Sequence, residues 1–332
     1  MLRPQYMMFP SKPLQPATTM TTRKYARHTI PAPQSHDIPV YLWESGETAS
    51  AVIQIIHGLG EHSARYERFA LQAVDRGYAV CAHDHRGHGP HSPSIGYFAA
   101  DNGWQLLVED SNTVSQFLQQ RYATLPIVLL GHSMGSYVAQ SYAMRFGDQL
   151  SALVLSGSTW PSRPLLTVGR MLARMLALFR GKNAHSALLD KMGFGDFNKK
   201  FEPSRTELDW LSRDAAEVDK YVDDPFCGGP YTTGLWIDLL GGLLQISTDG
   251  ALRKIPAALP ILLTGGSDDP VGGQKGISEL AEHYESTGHR ALTTRIYPGG
   301  RHEMFNETNR DEFSSDLLRW IEATLAERQV SE

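Results

Sequence analysis

The sequence has few cysteines and no long apolar run. Only two of its 332 residues are cysteine, Cys81 and Cys227. Two cysteines do not form the disulfide framework on which small secreted domains depend, so we expect a reducing, cytoplasmic environment. No stretch approaches the roughly 18 consecutive apolar residues that a bilayer-spanning helix requires, so we predict no membrane-spanning helix.

The chain also lacks an excess of basic residues. It carries 31 Lys and Arg against 36 Asp and Glu, a formal net charge of -5, and it has no long basic run. This balance argues against a nucleic-acid partner. The first residues contain Pro4, Pro10, Pro13 and Pro16 without a continuous apolar segment. We therefore predict that residues 1–24 form a flexible extension, not a signal peptide.

Short apolar runs alternate with helical patterns along most of the chain. This alternation predicts an α/β fold, in which a mostly parallel central sheet is flanked by helices. A further strand near residues 40–44 is expected to pair antiparallel at an edge of the sheet. The predicted parallel strands are 51–57, 78–82, 126–131, 151–156, 260–265 and 292–297. The predicted flanking helices are 64–76, 104–121, 136–146, 274–286 and 311–326.

A Gly-His-Ser-Met-Gly segment, residues 131–135, lies between a strand-like run and a helix-like stretch that begins at Ser136. This context is typical of a nucleophile elbow, the sharp strand-to-helix turn that exposes a serine hydroxyl to a base. The flanking glycines avoid clashes with the neighbouring helix or strand. Ser133 is therefore a candidate nucleophile, and an ordinary turn is the alternative.

The segment His-Gly-Leu-Gly-Glu-His-Ser, residues 57–63, follows another buried-strand pattern. Acyl-transfer enzymes stabilise an oxyanion with two backbone N–H groups, one after the nucleophile and one after an earlier strand. Leu59 and Met134 occupy those two places. The alternative is a tight turn into the next helix, and both roles can coexist. Glu61 and His62 are expected to order this loop.

An acid and a histidine follow the serine in the chain order of an α/β-hydrolase. Asp268 and Asp269 come just after the strand-like run 260–264, and His302 comes just after the run 292–297. We favour Asp269 because Pro270 restricts the backbone beside it, and we expect Asp268 to be a solvated turn residue. His302 would accept the proton of Ser133, while the carboxylate orients the imidazole.

Five motifs together resemble the serine α/β-hydrolases of the monoacylglycerol lipase and lysophospholipase group, over about residues 25–328. They are HGLGEHSARY (57–66), DHRGHGPHS (84–92), GHSMGS (131–136), GGSDDPV (265–271) and YPGGRHE (297–303). The resemblance implies a catalytic triad formed by Ser133, Asp269 and His302. It also implies an oxyanion hole formed by the backbone amides of Leu59 and Met134. Residues 207–228 also resemble the cap segment of bacterial members, which favours the bacterial lysophospholipase-like branch.

The chain between the elbow and the acid is longer than strands and helices of the core require. We predict that residues 159–244 form a helical cap inserted after the sixth strand, with 25–158 and 245–332 as the core. The first helix of this insertion, 164–180, combines apolar residues with Arg170, Arg174 and Arg180. Either this helix contacts substrate or an anionic membrane surface, or its apolar residues are ordinary packing positions.

The loop 83–91 is rich in histidine, and clusters of histidine are also typical of metal-binding sites. A metallohydrolase is therefore the rival mechanism. However, these histidines follow a single strand, and no second cluster of histidine and carboxylate has a comparable density. We predict no metal and no cofactor, and we expect Asp84 and Arg86 to tie the loop together by a charge-assisted hydrogen bond.

The functional hypothesis is a serine carboxylic-ester hydrolase that works through an acyl-enzyme. Its expected substrate is a small-molecule lipid ester with a glycerol or glycerophospho head group. Two alternatives stay open: an acyltransferase that uses the same triad, and an esterase of small non-lipid esters. A hydrolase-fold protein that only binds ligand would lack a triad member, and none is missing here.

Overall fold

A computed structural model describes residues 25–32, 34, 36–44 and 49–331, with side chains as far as residue 328. The extension predicted for residues 1–24 lies outside these residues. Both cysteines are free thiols. Within the described ranges, no helix combines the length and the apolar character needed to cross a membrane.

The centre of the molecule is an eight-stranded sheet with the order β1-β2-β4-β3-β5-β6-β7-β8. Strand β2 pairs antiparallel with β1 and with β4, and all other neighbours are parallel. The predicted α/β fold with a mostly parallel sheet is thus confirmed. The strands are β1 Ala26–Ala32, β2 His36–Trp43, β3 Ala51–Ile56, β4 Tyr78–His83, β5 Ile127–His132, β6 Ala152–Ser156, β7 Ile261–Gly266 and β8 Leu292–Tyr297.

The antiparallel strand predicted near 40–44 exists, but its predicted position at the edge is wrong. It belongs to β2, which lies between β1 and β4, and β1 forms the edge instead. Strand β1 pairs with β2 in a register that places Ile30 opposite Ile38. Its residues are exposed or only half-buried. An exposed edge strand needs no apolar run, so the hydrophobic pattern did not reveal it.

Helices cover both faces of the sheet, which explains why its central strands are continuous apolar runs. Helices α2, α3 and α9 pack on one face and α1 and α10 on the other, so that Val52 and Ile53 of β3 enter opposite layers. The helices are α1 Glu67–Val74, α2 Gly103–Arg121, α3 Met134–Phe146, α4 Arg163–Arg180, α5 Ala187–Phe194, α6 Ala215–Asp223, α7 Thr233–Ile246, α8 Asp249–Leu252, α9 Gly273–Ser286 and α10 Arg310–Ser331. Each predicted core helix is present, and a 3₁₀ turn, Ser63–Tyr66, precedes α1.

Five helices, α4 to α8, lie between β6 and β7, and Ala173 of α4, Leu189 of α5 and Leu235 of α7 join the same apolar core as α2, α3 and α9. Helix α4 lies against α7, where the Arg170 guanidinium donates to the carbonyl of Ile237 at 3.2 Å. A methyl group on Gly241 would lie 2.7 Å from that guanidinium, so the Arg170 side chain would have to shift to admit it. The carboxyl ends of β3, β5, β7 and β8 lie at the same edge of the sheet, as parallel strands require.

Candidate active site

Ser133 occupies the turn between β5 and α3 in a strained conformation. Its backbone has φ 52° and ψ −122°, a region that non-glycine residues rarely adopt. The turn is held by hydrogen bonds from the Ser133 amide to the Ser156 carbonyl, 2.9 Å, and from the Ser136 hydroxyl to the Ser133 carbonyl, 2.6 Å. The strain is therefore balanced by local bonds, and the side chain projects from the end of the sheet.

The two elbow glycines are required by close contacts of the backbone. A Cβ atom on Gly131 would lie 2.4 Å from the Gly135 carbonyl oxygen. A Cβ atom on Gly135 would lie 2.0 Å from the Ile56 carbonyl oxygen, at the end of β3. Since real contacts of this type are much longer, neither position accepts a side chain. This crowding is the physical reason for the Gly-x-Ser-x-Gly pattern.

The structure brings Ser133, His302 and Asp269 into one hydrogen-bonded chain. The Ser133 hydroxyl lies 2.8 Å from His302 Nε2, and His302 Nδ1 lies 2.9 Å from Asp269 Oδ2. The second carboxylate oxygen, Oδ1, accepts the amide of Val271 at 2.9 Å. His302 and Asp269 are buried, whereas Ser133 is half-buried and so accessible to a substrate. With Nε2 as acceptor and Nδ1–H as donor, this is the geometry of a serine nucleophile beside its base.

The carboxylate of the adjacent residue, Asp268, does not contact His302. Asp268 pairs with Lys200 at 3.1 Å, and both side chains are about half exposed. Its amide donates to the Gly300 carbonyl at 2.9 Å. Of the two adjacent aspartates, Asp269 is the one that reaches His302.

His302 has a base strength suited to proton transfer. Burial alone would lower its pKa, but the Asp269 carboxylate, by its charge and its hydrogen bond, raises the pKa above the usual 6.5. The ring of His132 lies 5.0 Å away, and burial together with His302 lowers its pKa to about 4. His132 therefore stays neutral near pH 7 and serves as a packing neighbour.

The loop after β3 lies beside Ser133. A Cβ atom on Gly58 would be 3.2 Å from the Ser133 Cβ atom. Glu61 orders this loop, as predicted, because its Oε1 accepts the Gly58 amide at 2.6 Å. Within the described part of the chain, the amides of Leu59 and Met134 have no hydrogen-bond acceptor. Two unused donors beside a serine are what an oxyanion needs.

A buried charge network, which the sequence did not predict, joins this loop to the loop of His302. Arg65 donates two hydrogen bonds to Glu303, 2.6 and 2.7 Å, and one to Glu61, 3.0 Å. Burial would raise the pKa of Glu303, but Arg65 holds it below its usual value. All three residues fall within motifs that the sequence singled out, yet Arg65 and Glu303 are far apart in the chain. Only the fold reveals that they meet.

The segment between β6 and β7 contacts both loops of the site. The Trp210 ring lies 5.1 Å from the His302 ring, and the Glu303 amide donates to the Leu211 carbonyl at 2.8 Å. On the other side, the Tyr221 hydroxyl donates to the Gly60 carbonyl at 2.7 Å. The inserted segment is thus bonded to the loops that carry the candidate oxyanion donor and the candidate base.

Three histidines of loop 83–91 are buried packing residues, namely His83, His85 and His88, whereas His91 is exposed. Burial lowers the pKa of His83 to about 3 and that of His88 to about 4, so both are neutral near pH 7. The expected bond between Asp84 and Arg86 is wrong: Asp84 accepts from the Tyr41 hydroxyl and the Ser63 amide, and Arg86 forms two hydrogen bonds with Asp110. Because the partners come from other elements, the local sequence could not identify them.

Comparison with known proteins agrees with this geometry. The family described as serine aminopeptidase, S33, matches residues 47–309. A human monoglyceride lipase is 30% identical over 80% of this chain and 79% of its own. A monoacylglycerol lipase of Mycolicibacterium smegmatis is 28% identical over 84% of this chain and 91% of its own. The chain is thus about equally distant from an animal and a bacterial relative.

Solved structures show the same kinship. A thermostable carboxyl esterase from Bacillus coagulans, solved with glycerol, superposes with a TM-score of 0.84 at 27% identity, over 91% of this chain and 99% of its own. Sequence family, sheet order and site geometry agree with one another. The chain therefore belongs to the serine α/β-hydrolases of the monoacylglycerol lipase type and is a carboxylic-ester hydrolase.

Proposed function

We propose that this enzyme hydrolyses a lipid ester with a glycerol or glycerophospho head group, through a Ser133–His302–Asp269 triad and an acyl-enzyme. The observation that carries the proposal is the unbroken hydrogen-bond chain from the Ser133 hydroxyl through His302 to Asp269. A histidine with a purely structural role would not need a serine in a strained turn beside its Nε2 atom, as Ser133 is here.

The reaction follows from the positions of these groups. His302 Nε2 takes the hydroxyl proton while Ser133 Oγ attacks the ester carbonyl carbon, and the amides of Leu59 and Met134 bind the resulting oxyanion. Collapse of the intermediate breaks the ester bond, and the imidazolium returns the proton to the departing alcohol. Water, deprotonated by His302, then attacks the acyl-serine and releases the carboxylic acid. Asp269 stays ionised and stabilises the imidazolium in both steps.

Residues 159–244 act as a cap on a core formed by 25–158 and 245–332. The support is the set of contacts that Trp210, Leu211 and Tyr221 make with the loops around the triad. A cap that touches both loops can admit or exclude substrate without taking part in the chemistry. Head-group and chain-length preference are therefore assigned to the cap.

The outer face of α4 supports a lipid substrate. Its large apolar side chains are between 53 and 84 % exposed, and Arg174 and Arg180 are exposed beside them. Only Leu166 and Ala173 of this helix are buried. Leu172 and Leu176 of the same helix pack against the core, as the packing alternative predicts, but six other apolar residues of this helix stay exposed. They are Leu165, Val168, Met171, Met175, Leu178 and Phe179.

This face is expected to dock on anionic membranes. Changing both Leu178 and Phe179 to serine should weaken binding to phosphatidylglycerol vesicles roughly tenfold or more, because each side chain loses the burial of its apolar area. Sedimentation with vesicles measures the change. Hydrolysis of a short soluble ester should stay close to wild type, since both residues are exposed. Changing Arg174 and Arg180 to glutamine should weaken binding to anionic vesicles but not to neutral ones, and unchanged binding in all variants would contradict docking through α4.

A substrate panel tests the proposed function itself. We expect the highest kcat/KM with a long-chain monoacylglycerol or lysophospholipid, a lower value with a short nitrophenyl ester, and none with an aminoacyl anilide. Activity confined to short esters would overturn the lipid assignment, and anilide cleavage would favour a peptidase. Added glycerol separates hydrolysis from acyl transfer: if a new glycerol ester replaces the free acid as the main product, the enzyme is an acyltransferase.

A further inference from the structure

A second cluster of reactive side chains lies outside the triad. Ligand atoms of His62, Asp224 and Cys227 all lie within 4.8 Å of one another. His62 belongs to the loop after β3, whereas Asp224 and Cys227 lie in the loop between α6 and α7. In the described part of the chain, this is the one group of three histidine, cysteine or acidic residues that converges in this way.

The donor atoms of this cluster suit zinc. An imidazole nitrogen, a carboxylate oxygen and a thiolate sulfur are all ligands of Zn²⁺, at distances of about 2.0 to 2.3 Å. In a tetrahedral site these bond lengths place ligand atoms about 3.3 to 3.7 Å apart. His62 Nε2 now lies 2.8 Å from Asp224 Oδ2. A bound ion would need that pair to separate slightly and the thiol to move inward.

The His62 side chain has unused capacity. His62 is only 7 % exposed, and its Nδ1 atom has no hydrogen-bond partner among the described residues. A ligating histidine keeps a proton on its other nitrogen, and Nδ1 is available for that proton when Nε2 binds the ion. His62 can therefore bind an ion through Nε2 without giving up any hydrogen bond of Nδ1.

The local charge favours a cation. The Cys227 thiol is near three carboxylates, those of Asp224, Glu61 and Glu303, and one guanidinium, that of Arg65. A divalent ion would offset this excess of negative charge. A metal that binds the thiolate releases the thiol proton.

The cluster can be reached from solvent. His62 and Asp224 line a groove of about 780 Å³ between the N-terminal strands and α6. Asp219 and Asp223 line the same groove together with Arg27 and Lys220. A small hydrated cation fits through such an opening, and a water molecule can complete the coordination.

We propose that His62, Asp224 and Cys227 bind one Zn²⁺ ion, with water as a fourth ligand, and that the bound ion inhibits the enzyme. The link to catalysis is Gly60, whose carbonyl accepts the Gly228 amide at 2.8 Å. Gly228 follows Cys227, and Gly60 follows Leu59. Drawing the thiol toward His62 therefore displaces the amide assigned to the oxyanion. The inhibition rests on the proposed function, whereas the binding does not.

Cobalt titration of the full chain tests the binding. Co²⁺ in place of Zn²⁺ should produce a thiolate-to-cobalt charge-transfer band that saturates at one ion per chain, and Zn²⁺ should remove it. The chain has two cysteines, so matched variants identify the sulfur. Cys81→Ala should keep the band and Cys227→Ala should lose it. Asp224→Asn, which keeps the thiol, should weaken cobalt affinity at least about tenfold. Circular dichroism shows whether each variant is folded.

Turnover of a soluble ester tests the inhibition. Saturating Zn²⁺ should lower kcat about tenfold or more in wild type and in Cys81→Ala, because a small displacement of a catalytic group is costly. Cys227→Ala should lose this sensitivity. Absence of the band, or its persistence in folded Cys227→Ala, overturns the site. A band with unchanged turnover overturns the inhibition alone. If the charge-transfer band appears but the enzyme hydrolyses none of the ester substrates tested above, the proposed function is overturned and the metal site remains supported.

Discussion

Replacing Ser133 with alanine is expected to lower kcat for ester hydrolysis by a factor on the order of 10⁴ to 10⁶. The reason is that the hydroxyl 2.8 Å from His302 Nε2 is the group that forms the acyl-enzyme, and alanine leaves His302 with no nucleophile to activate. Steady-state kinetics with a soluble ester measures the loss. A fluorophosphonate probe provides a second readout, since it should modify Ser133 in wild type and leave Ser133→Ala unmodified.

Ser136 provides the matched control for this prediction. It is the next serine in the same turn, and its hydroxyl bonds the Ser133 carbonyl and does not face His302. Ser136→Ala should still be labelled by the probe at Ser133. Equal labelling of wild type and Ser133→Ala would show that Ser133 is not the activated nucleophile.

The second large effect is expected at Asp269. Asp269→Asn should lower kcat by about 10⁴, because the amide cannot hold the imidazole in the required tautomer or stabilise its charged form. The adjacent residue is the matched control. Asp268→Asn should change kcat little, since Asp268 pairs with exposed Lys200 and not with His302. If instead Asp268→Asn were the inactive variant, the assignment of the acid would be reversed.

The pH profile gives this pair of variants a further readout. His302 must be neutral to accept a proton, so activity falls as pH drops through its pKa. In wild type the midpoint of this acidic limb of the pH profile should lie above pH 6.5, because the Asp269 carboxylate raises the pKa of His302. Asp269→Asn removes that carboxylate and leaves burial, which lowers the pKa. The limb should therefore shift to lower pH in Asp269→Asn and stay in place in Asp268→Asn.

Much of the fold could be predicted because its signals are local. Strands buried on both faces must be apolar throughout, and the runs at β3, β5 and β7 are visible for that reason. The elbow is visible because backbone contacts at Gly131 and Gly135 exclude side chains. Edge strand β1 has neither signal, since it is exposed and held by its pairing with β2.

The exposed face of α4 shows a different limit of the sequence. Its apolar periodicity is the same whether the residues pack inward or face solvent. Packing takes the side of the helix that contains Leu166, Ala173 and the half-buried Leu172 and Leu176, and this leaves six other apolar residues outside. Which face of an amphipathic helix is buried depends on the element that packs against it, and the periodicity of the helix does not identify that element.

The sequence by itself determined the buried strands, the core helices, the serine turn and the order of the catalytic loops, because each depends on a few adjacent residues. Only the tertiary structure decided that Asp269 reaches His302, that Arg65 joins Glu61 to Glu303, and that His62 meets Asp224 and Cys227. These contacts join residues far apart in the chain. They depend on the angle and register at which strands and helices pack, and no short segment encodes either.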